Sequence, residues 1–107
     1  MISHENRTST IVAALLLVSA VVLVYAKTAG FAFVQLDDYE YIVYNDAVKA
    51  GLTAGGVRWA VTSSYMANWH PLTWLSHMAD VSLFGVAPGP QHLMNALLHA
   101  LSTAVLF

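Results

Sequence analysis

Residues 8–26, TSTIVAALLLVSAVVLVYA, lie between Arg7 and Lys27 and contain no charged side chain. A helix of these 19 residues is about 28 Å long, close to the roughly 30 Å hydrocarbon thickness of a bilayer. Ser19 is the only polar residue in its central part, residues 11–24. The stretch predicts a transmembrane α-helix over residues 9–26.

The composition of the chain is typical of a membrane protein. Hydrophobic residues make up 58% and charged residues 9% of its 107 residues, whereas soluble domains carry roughly 25% charged residues. Four Lys and Arg against six Asp and Glu leave no basic surface, which argues against nucleic acid as a partner. Without cysteine the chain has neither disulfides nor thiolate metal sites. The expected class is an all-α membrane protein whose first partner is the lipid bilayer.

A second apolar stretch ends the sequence. No charged residue follows Asp80, and residues 91–107, QHLMNALLHALSTAVLF, predict a second transmembrane helix that is truncated, because a span needs about 20 apolar residues. We therefore expect the chain to be the N-terminal fragment of a longer membrane protein. Two other interpretations stay open. The last stretch can be an amphipathic surface helix, and the first can be a cleaved signal that leaves a secreted chain starting at Lys27.

The segment between the two predicted spans, residues 27–90, contains several helix signals. Asn45 offers a turn or a helix cap, and Thr53 can cap a short helix. A further helix is predicted over residues 71–84, since it begins with proline and is followed by Gly85. Tryptophans and tyrosines near polar boundaries favour short helices at the membrane interface.

An acidic cluster, Asp37-Asp38-Tyr39-Glu40, follows the first span within a stretch rich in aromatic and β-branched residues, residues 31–44. That composition predicts an extended conformation. Neighbouring side chains of an extended chain point to opposite sides, so Asp37 and Asp38 would have different roles. Asp38 and Glu40 would lie on one side and could hold a divalent cation through carboxylate oxygens. A solvated acidic loop is the other interpretation.

The histidines occur in two pairs with a spacing of seven residues, His70 with His77 and His92 with His99. Such a spacing separates the side chains by about 10.5 Å along a helix, too far for one zinc ion. His92, Asn95 and His99 form a polar stripe on an apolar helix, which favours hydrogen-bonded helix packing over catalysis. His70 lies at a helix entrance, where it either binds a phosphate or acts as a capping or interfacial residue.

The order of these motifs resembles a known family. A membrane helix is followed by FVQLDDYEYI (residues 33–42), NDAVKAGLTAGGVRWAV (45–61), NWHPLTWLSHMADVSLFG (68–85) and QHLMNALLHAL (91–101). This order resembles the N-terminal part of the multi-spanning glycosyltransferases of the GT-C class. The likeness is greatest to the transmembrane and tetratricopeptide-repeat O-mannosyltransferase-like proteins, including their bacterial relatives. It covers residues 31–107.

The resemblance implies an enzyme that moves a sugar, such as mannose, from a polyprenyl phosphate to an acceptor hydroxyl, in this branch a protein Ser or Thr. By position Asp37 and Asp38 match the acidic pair of the first external loop, which supplies the catalytic carboxylate. His70 and Arg58 are candidates for binding the donor phosphate, Arg58 by its charge alone. Tetratricopeptide repeats are expected beyond the fragment, which alone is expected to be inactive. No cofactor is implied with certainty, and a divalent cation stays possible.

The orientation in the membrane follows from the resemblance rather than from charge. One Lys or Arg precedes the first span and three follow it, which mildly favours a cytoplasmic loop. The resemblance implies the reverse, with residues 1–8 cytoplasmic and residues 27–90 outside a bacterial cell (inner) membrane. The competing hypothesis for function is a non-enzymatic membrane protein of two helices that serves as an assembly partner or scaffold.

Overall fold

The structure is a computed structural model that describes residues 4–107. This part of the chain is mostly helical (79%) and contains no strand, which confirms the predicted helical class. Its α-helices are α1 (His4–Tyr25), α2 (Asp46–Lys49), α3 (Ala54–Thr62), α4 (Pro71–Phe84) and α5 (Pro88–Leu106). Two 3-10 helices, Ala26–Gly30 and Tyr65–Ala67, and a π-helix, Tyr39–Val43, complete the described elements.

The chain divides into two compact units. Unit 1 combines the N-terminal residues through Phe31 with His92–Phe107, and unit 2 is Ala32–Gln91. Each unit has its own candidate site.

Unit 1 contains the helix that can cross a membrane. Within the described residues, the segment Asn6–Gly30 is the one helix long and apolar enough to do so, with 25 residues. Its large apolar side chains are exposed, as Leu16 and Leu23 illustrate (66% and 81% exposed), and lipid tails would cover them in a bilayer. The first span was predicted over residues 9–26. The helical segment is longer because α1 begins at His4 and the 3-10 helix extends it.

The last helix, α5, starts at Pro88, slightly earlier than the predicted boundary at residue 91. Proline suits a first helical turn because that turn leaves backbone N–H groups unpaired in any case. Among residues 4–107, α5 is not one of the helices that meet the length and apolarity of a span. The second transmembrane helix, residues 91–107, therefore stays a prediction.

Unit 2 has a small hydrophobic core formed by α2, α3 and α4. The core residues are Val48, Ala60, Trp74, Met78 and Val81. Trp74 is fully buried. It is the largest of the fully buried side chains described, and a buried aromatic ring removes roughly 150–250 Å² from water. Trp74 therefore makes the largest single contribution to the core of unit 2.

Local signals place the helix ends of unit 2 as predicted. The Asn45 side chain accepts hydrogen bonds from two backbone N–H groups of α2, at 3.1 and 3.2 Å. Thr53 caps α3 through a 2.9 Å bond from Gly56 N–H. Proline stands at the first position of α4, and Gly85 ends that helix with a positive φ of 72°, which favours glycine.

The predicted extended conformation of residues 31–44 is wrong at its centre. Residues 37–43 form a helical turn that continues into the π-helix, and Tyr44 N–H donates to Tyr39 O at 2.7 Å. Ile42 is buried and Tyr41 packs against the core, so tertiary packing overrides β-propensity here. Side chains two apart point to nearly opposite sides of a helical turn. The geometric argument that put Asp38 and Glu40 on one side therefore fails.

Candidate functional site

The acidic turn, which we define as residues 37–40, begins the helical segment of unit 2. Asp38 Oδ2 accepts a hydrogen bond from Val34 N–H at 2.9 Å, so this carboxylate holds the preceding backbone in place. Asp37 is exposed, and its carboxylate forms no hydrogen bond or ion pair with another described residue. The two adjacent acids thus differ in role, since one is structural and the other is available to a ligand.

Glu40 and Tyr41 tie the acidic turn to the segment between α3 and α4. Tyr65 Oη donates to Glu40 Oε2 at 3.4 Å, and Asn68 Nδ2 donates to Tyr41 Oη at 2.8 Å. Loss of solvation raises the pKa of the Tyr65 phenol, and the charge and hydrogen bond of Glu40 raise that pKa further. These two links bring the acidic motif and the Asn68–Pro71 motif together, although 27 residues separate Tyr41 from Asn68.

Aromatic rings surround Trp74 in unit 2. Ring centroids of Tyr41, His70 and Trp59 lie 4.6, 4.7 and 5.1 Å from that of Trp74. Tyr41 and His70 also contact each other edge to face at 5.5 Å. Edge-to-face and tilted ring pairs at such distances are favourable beyond their buried area. Tyr41, the residue directly after the acidic turn, thus connects the turn to the aromatic cluster around Trp74.

His70 lies at the N-terminus of α4, where its side chain makes no capping bond. Its ring is half-buried beside Tyr41, and its Nε2 is a buried atom without a described hydrogen-bond partner. The structure therefore brings His70 near the acidic turn through Tyr41. Arg58 is exposed on α3, and no described interaction joins its side chain to the acidic turn. Phosphate binding by His70 and Arg58 stays a prediction.

One buried carboxyl group of unit 2 was missed by the sequence interpretation. Asp80 on α4 is only 3% exposed. Burial raises the pKa of this carboxyl, and the charge of the nearby His77 opposes that shift. His77 Nδ1 is hydrogen-bonded to Gln91 Oε1 at 3.1 Å. The available signal was that Asp80 is the only Asp, Glu, Lys or Arg after Arg58.

Unit 1 contains an open pocket of about 320 Å³. It is lined by Tyr25, Thr28, His92, Asn95, Ala96 and His99. The predicted polar stripe of α5 supplies three of these residues, whereas Tyr25 and Thr28 come from the end of the apolar segment and were not singled out. The Tyr25 and His99 rings meet edge to face with centroids 5.3 Å apart. The stripe thus lines a cavity, and its His99 also contacts Tyr25 at the end of α1.

Metal ligands do not cluster in the part of the chain that the structure describes. No group of three or more His, Asp or Glu side chains there can hold an ion. Asp38 and Glu40 have separate partners, the Val34 amide and the Tyr65 phenol. Joint cation binding by these two carboxylates has therefore lost its geometric basis.

Comparison of the chain with family models, with curated proteins and with solved structures found no match in any of the three.

Proposed function

We propose that this chain is the N-terminal part of an integral membrane glycosyltransferase of the GT-C class. The reaction proposed moves a sugar, such as mannose, from a polyprenyl phosphate to an acceptor hydroxyl of a protein Ser or Thr. The observation that carries the proposal is the acidic turn. Asp38 is engaged by the Val34 amide, while the carboxylate of Asp37 is exposed and unengaged among the described residues.

In this proposal Asp37 is the general base. The acceptor oxygen attacks the anomeric carbon, the bond from that carbon to the phosphate oxygen breaks, and the polyprenyl phosphate leaves with the electron pair. The hydroxyl proton passes to the Asp37 carboxylate, which must lie within hydrogen-bond reach of it. Since a phosphate leaves as a stable anion, charge stabilisation matters more for it than a general acid.

Asp38 acts as a positioning residue. Its bond to Val34 N–H fixes the backbone that presents Asp37, and the link from Tyr65 to Glu40 fixes the other end of the acidic turn. Orientation of a base is a large part of its catalytic effect. His70, beside Tyr41, and Arg58 are the residues proposed to meet the donor phosphate, with or without a divalent cation.

The test measures sugar transfer by the whole protein in membranes. The donor is a labelled polyprenyl-phosphate sugar and the acceptor is a peptide that contains Ser or Thr. Asp37→Asn keeps the shape of the side chain but cannot take a proton, so transfer should fall by roughly 10²–10⁴-fold. Asp46→Asn is the matched control, because Asp46 is an exposed carboxylate that pairs with Lys49, its one ion-pair partner among residues 4–107. Unchanged transfer in Asp37→Asn would remove the catalytic assignment.

A non-enzymatic assembly or scaffold protein is the second candidate function. It is favoured by the apolar segment Asn6–Gly30, whose most hydrophobic window has 0% of its residues buried. Such a surface can pack against helices of a partner as well as against lipid. This function predicts that neither Asp37→Asn nor Asp38→Asn affects any transfer reaction, while changes on α1 abolish co-purification of the partner.

A further inference from the structure

The polar stripe of α5 is the motif that the proposed function leaves unused. His92, Asn95 and His99 follow one another at spacings of three and four residues, so they lie on one face of the helix. That face lines the pocket of unit 1. Polar residues on a membrane-associated apolar helix are costly unless they meet protein, water or a ligand.

The chemistry of the pocket defines what it can hold. Five of its six lining side chains can form hydrogen bonds, and none is Asp, Glu, Lys or Arg. A cation therefore finds no carboxylate there, and an anion finds no Lys or Arg. Asn95 and His99 offer both donors and acceptors, the combination that hydroxyl groups satisfy because each hydroxyl donates and accepts.

The walls of the pocket are partly fixed before any ligand arrives. The edge-to-face contact between Tyr25 and His99 joins the end of α1 to α5. Thr28 Oγ1 donates to Tyr25 O at 2.6 Å, which uses its proton and leaves the oxygen free to accept. A volume of about 320 Å³ lies at the lower end of the roughly 300–1,000 Å³ found for ligand pockets. That volume suits one small ring rather than a long chain.

The pocket lies at the end of the apolar segment, which indicates a position at the membrane boundary. Tyr25 and Thr28 lie in the last residues of the segment Asn6–Gly30. When that segment crosses a bilayer, its ends reach the level of the lipid headgroups. A hydroxyl-rich group can reach this level from water or as part of a lipid.

We propose that this pocket binds an uncharged, hydroxyl-rich group of the size of a single sugar ring. The hydroxyl groups form hydrogen bonds with Asn95 and His99 on α5 and with Thr28 in the 3-10 helix Ala26–Gly30. The Tyr25 ring contacts the apolar face of the sugar. The free sugar and a glycolipid headgroup share this chemistry. The site does not depend on the proposed transfer reaction.

The test is nuclear magnetic resonance of the histidine side chains, with the whole protein in phosphatidylcholine nanodiscs. A detergent with a sugar headgroup must be avoided because it would fill the site. One arm adds methyl glucoside to the buffer, another places a glucosyl diacylglycerol in the nanodisc, and a third adds inorganic phosphate. We expect a saturable shift of His92 and His99, with His77 of unit 2, which lies outside both proposed sites, unchanged as the internal reference.

Two substitutions on α5 complete the experiment. Asn95→Ala should weaken the response by roughly three- to tenfold, the value of one or two hydrogen bonds. Ser102→Ala, also on the exposed surface of α5 but outside the pocket, should leave it unchanged. A response in either sugar arm supports the site. The arm that gives the response shows whether the free sugar or the glycolipid headgroup is bound.

No response to either sugar, a response to phosphate alone, or an unaltered response in Asn95→Ala would overturn the proposal. The two proposals remain separable through Asp37→Asn. If that variant binds the sugar normally yet transfer by the wild type is never observed, the pocket stands and the transfer reaction falls.

Discussion

Asp80 lies on the buried side of α4, and its surroundings do little to replace the water that would stabilise a charged carboxylate. Among the described residues it forms no hydrogen bond or ion pair within 4 Å, and His77 acts on it only as a nearby charge. A buried acid without a close partner favours its neutral form, because the charged form is poorly solvated. The carboxyl therefore retains its proton to a higher pH in the folded chain than in the unfolded chain.

This shift predicts how stability depends on pH. Because the folded pKa of Asp80 lies above its unfolded value of about 3.8, the native state binds more protons than the unfolded state between the two pKa values. The free energy of unfolding therefore falls as pH rises from about 4 through the folded pKa. Asp80→Asn should remove this fall and be more stable than the wild type at neutral pH. Chemical unfolding followed by tryptophan fluorescence, which reports on unit 2, measures the change.

Asp46 gives the matched control with the opposite sign. The hydrogen bond and charge of Lys49 lower the pKa of Asp46, so its contribution is present above the unfolded pKa and is lost as pH falls through the folded pKa. Asp46→Asn should therefore leave the slope above pH 4 unchanged. A fall in stability that persists in Asp80→Asn would assign it to another group.

At the scale of one element, α3 contains two adjacent glycines with different surroundings. A Cβ built on Gly55 meets no atom within 4 Å. A Cβ on Gly56 would lie 3.0 Å from Thr53 Oγ1, 3.2 Å from Met78 Sδ and 3.3 Å from a backbone oxygen. The same substitution therefore has opposite consequences at neighbouring positions of one helix.

Gly55→Ala should stabilise unit 2 by about 0.5–1 kcal/mol, because alanine restricts the unfolded chain and favours the helix. Gly56→Ala should destabilise it by about 1–3 kcal/mol, since crowding at the capping Thr53 and at Met78 forces the core to shift. Unfolding midpoints of the two variants, at equal slope, give both values. Equal stabilisation by both would show that the core yields at Gly56 without cost.

The elements that the sequence predicted correctly are those with local causes. Asn45 and Thr53 form caps with neighbouring amides, and α4 begins with Pro71 and ends before Gly85. The acidic turn was predicted wrongly because its conformation depends on Ile42 and Tyr41 packing on residues distant in sequence. The spacing of residues along the sequence does not indicate which distant residues Ile42 and Tyr41 pack against.

The candidate sites divide in the same way. The stripe of His92, Asn95 and His99 follows from helical periodicity alone, so its placement on one face could be predicted. The contribution of Tyr25 to the pocket could not, because it depends on which residues of the N-terminal segment meet α5. Similarly, the link from Asn68 to Tyr41 exists only in the folded chain.

At the scale of the whole molecule, the proposed reaction requires one orientation in the membrane. The segment Asn6–Gly30 can cross a bilayer by length and composition, and the proposal puts the acidic turn on the non-cytoplasmic side, opposite the N-terminus. Lys and Arg counting mildly favours the reverse. The location of Asp37 therefore needs a direct measurement.

The absence of cysteine from these 107 residues helps this measurement, because an introduced thiol is the only one among them, and labelling of the unsubstituted protein gives the background. Gly55→Cys adds a thiol on exposed α3, where a Cβ meets no neighbour, and Ser3→Cys adds one before the span. In intact cells a membrane-impermeant maleimide should label the Gly55→Cys protein and should reach the Ser3→Cys protein only after permeabilisation. The reverse pattern would place Asp37 in the cytoplasm and exclude transfer on the outer side. Equal labelling of both thiols in intact cells would instead show that Asn6–Gly30 does not separate the two ends.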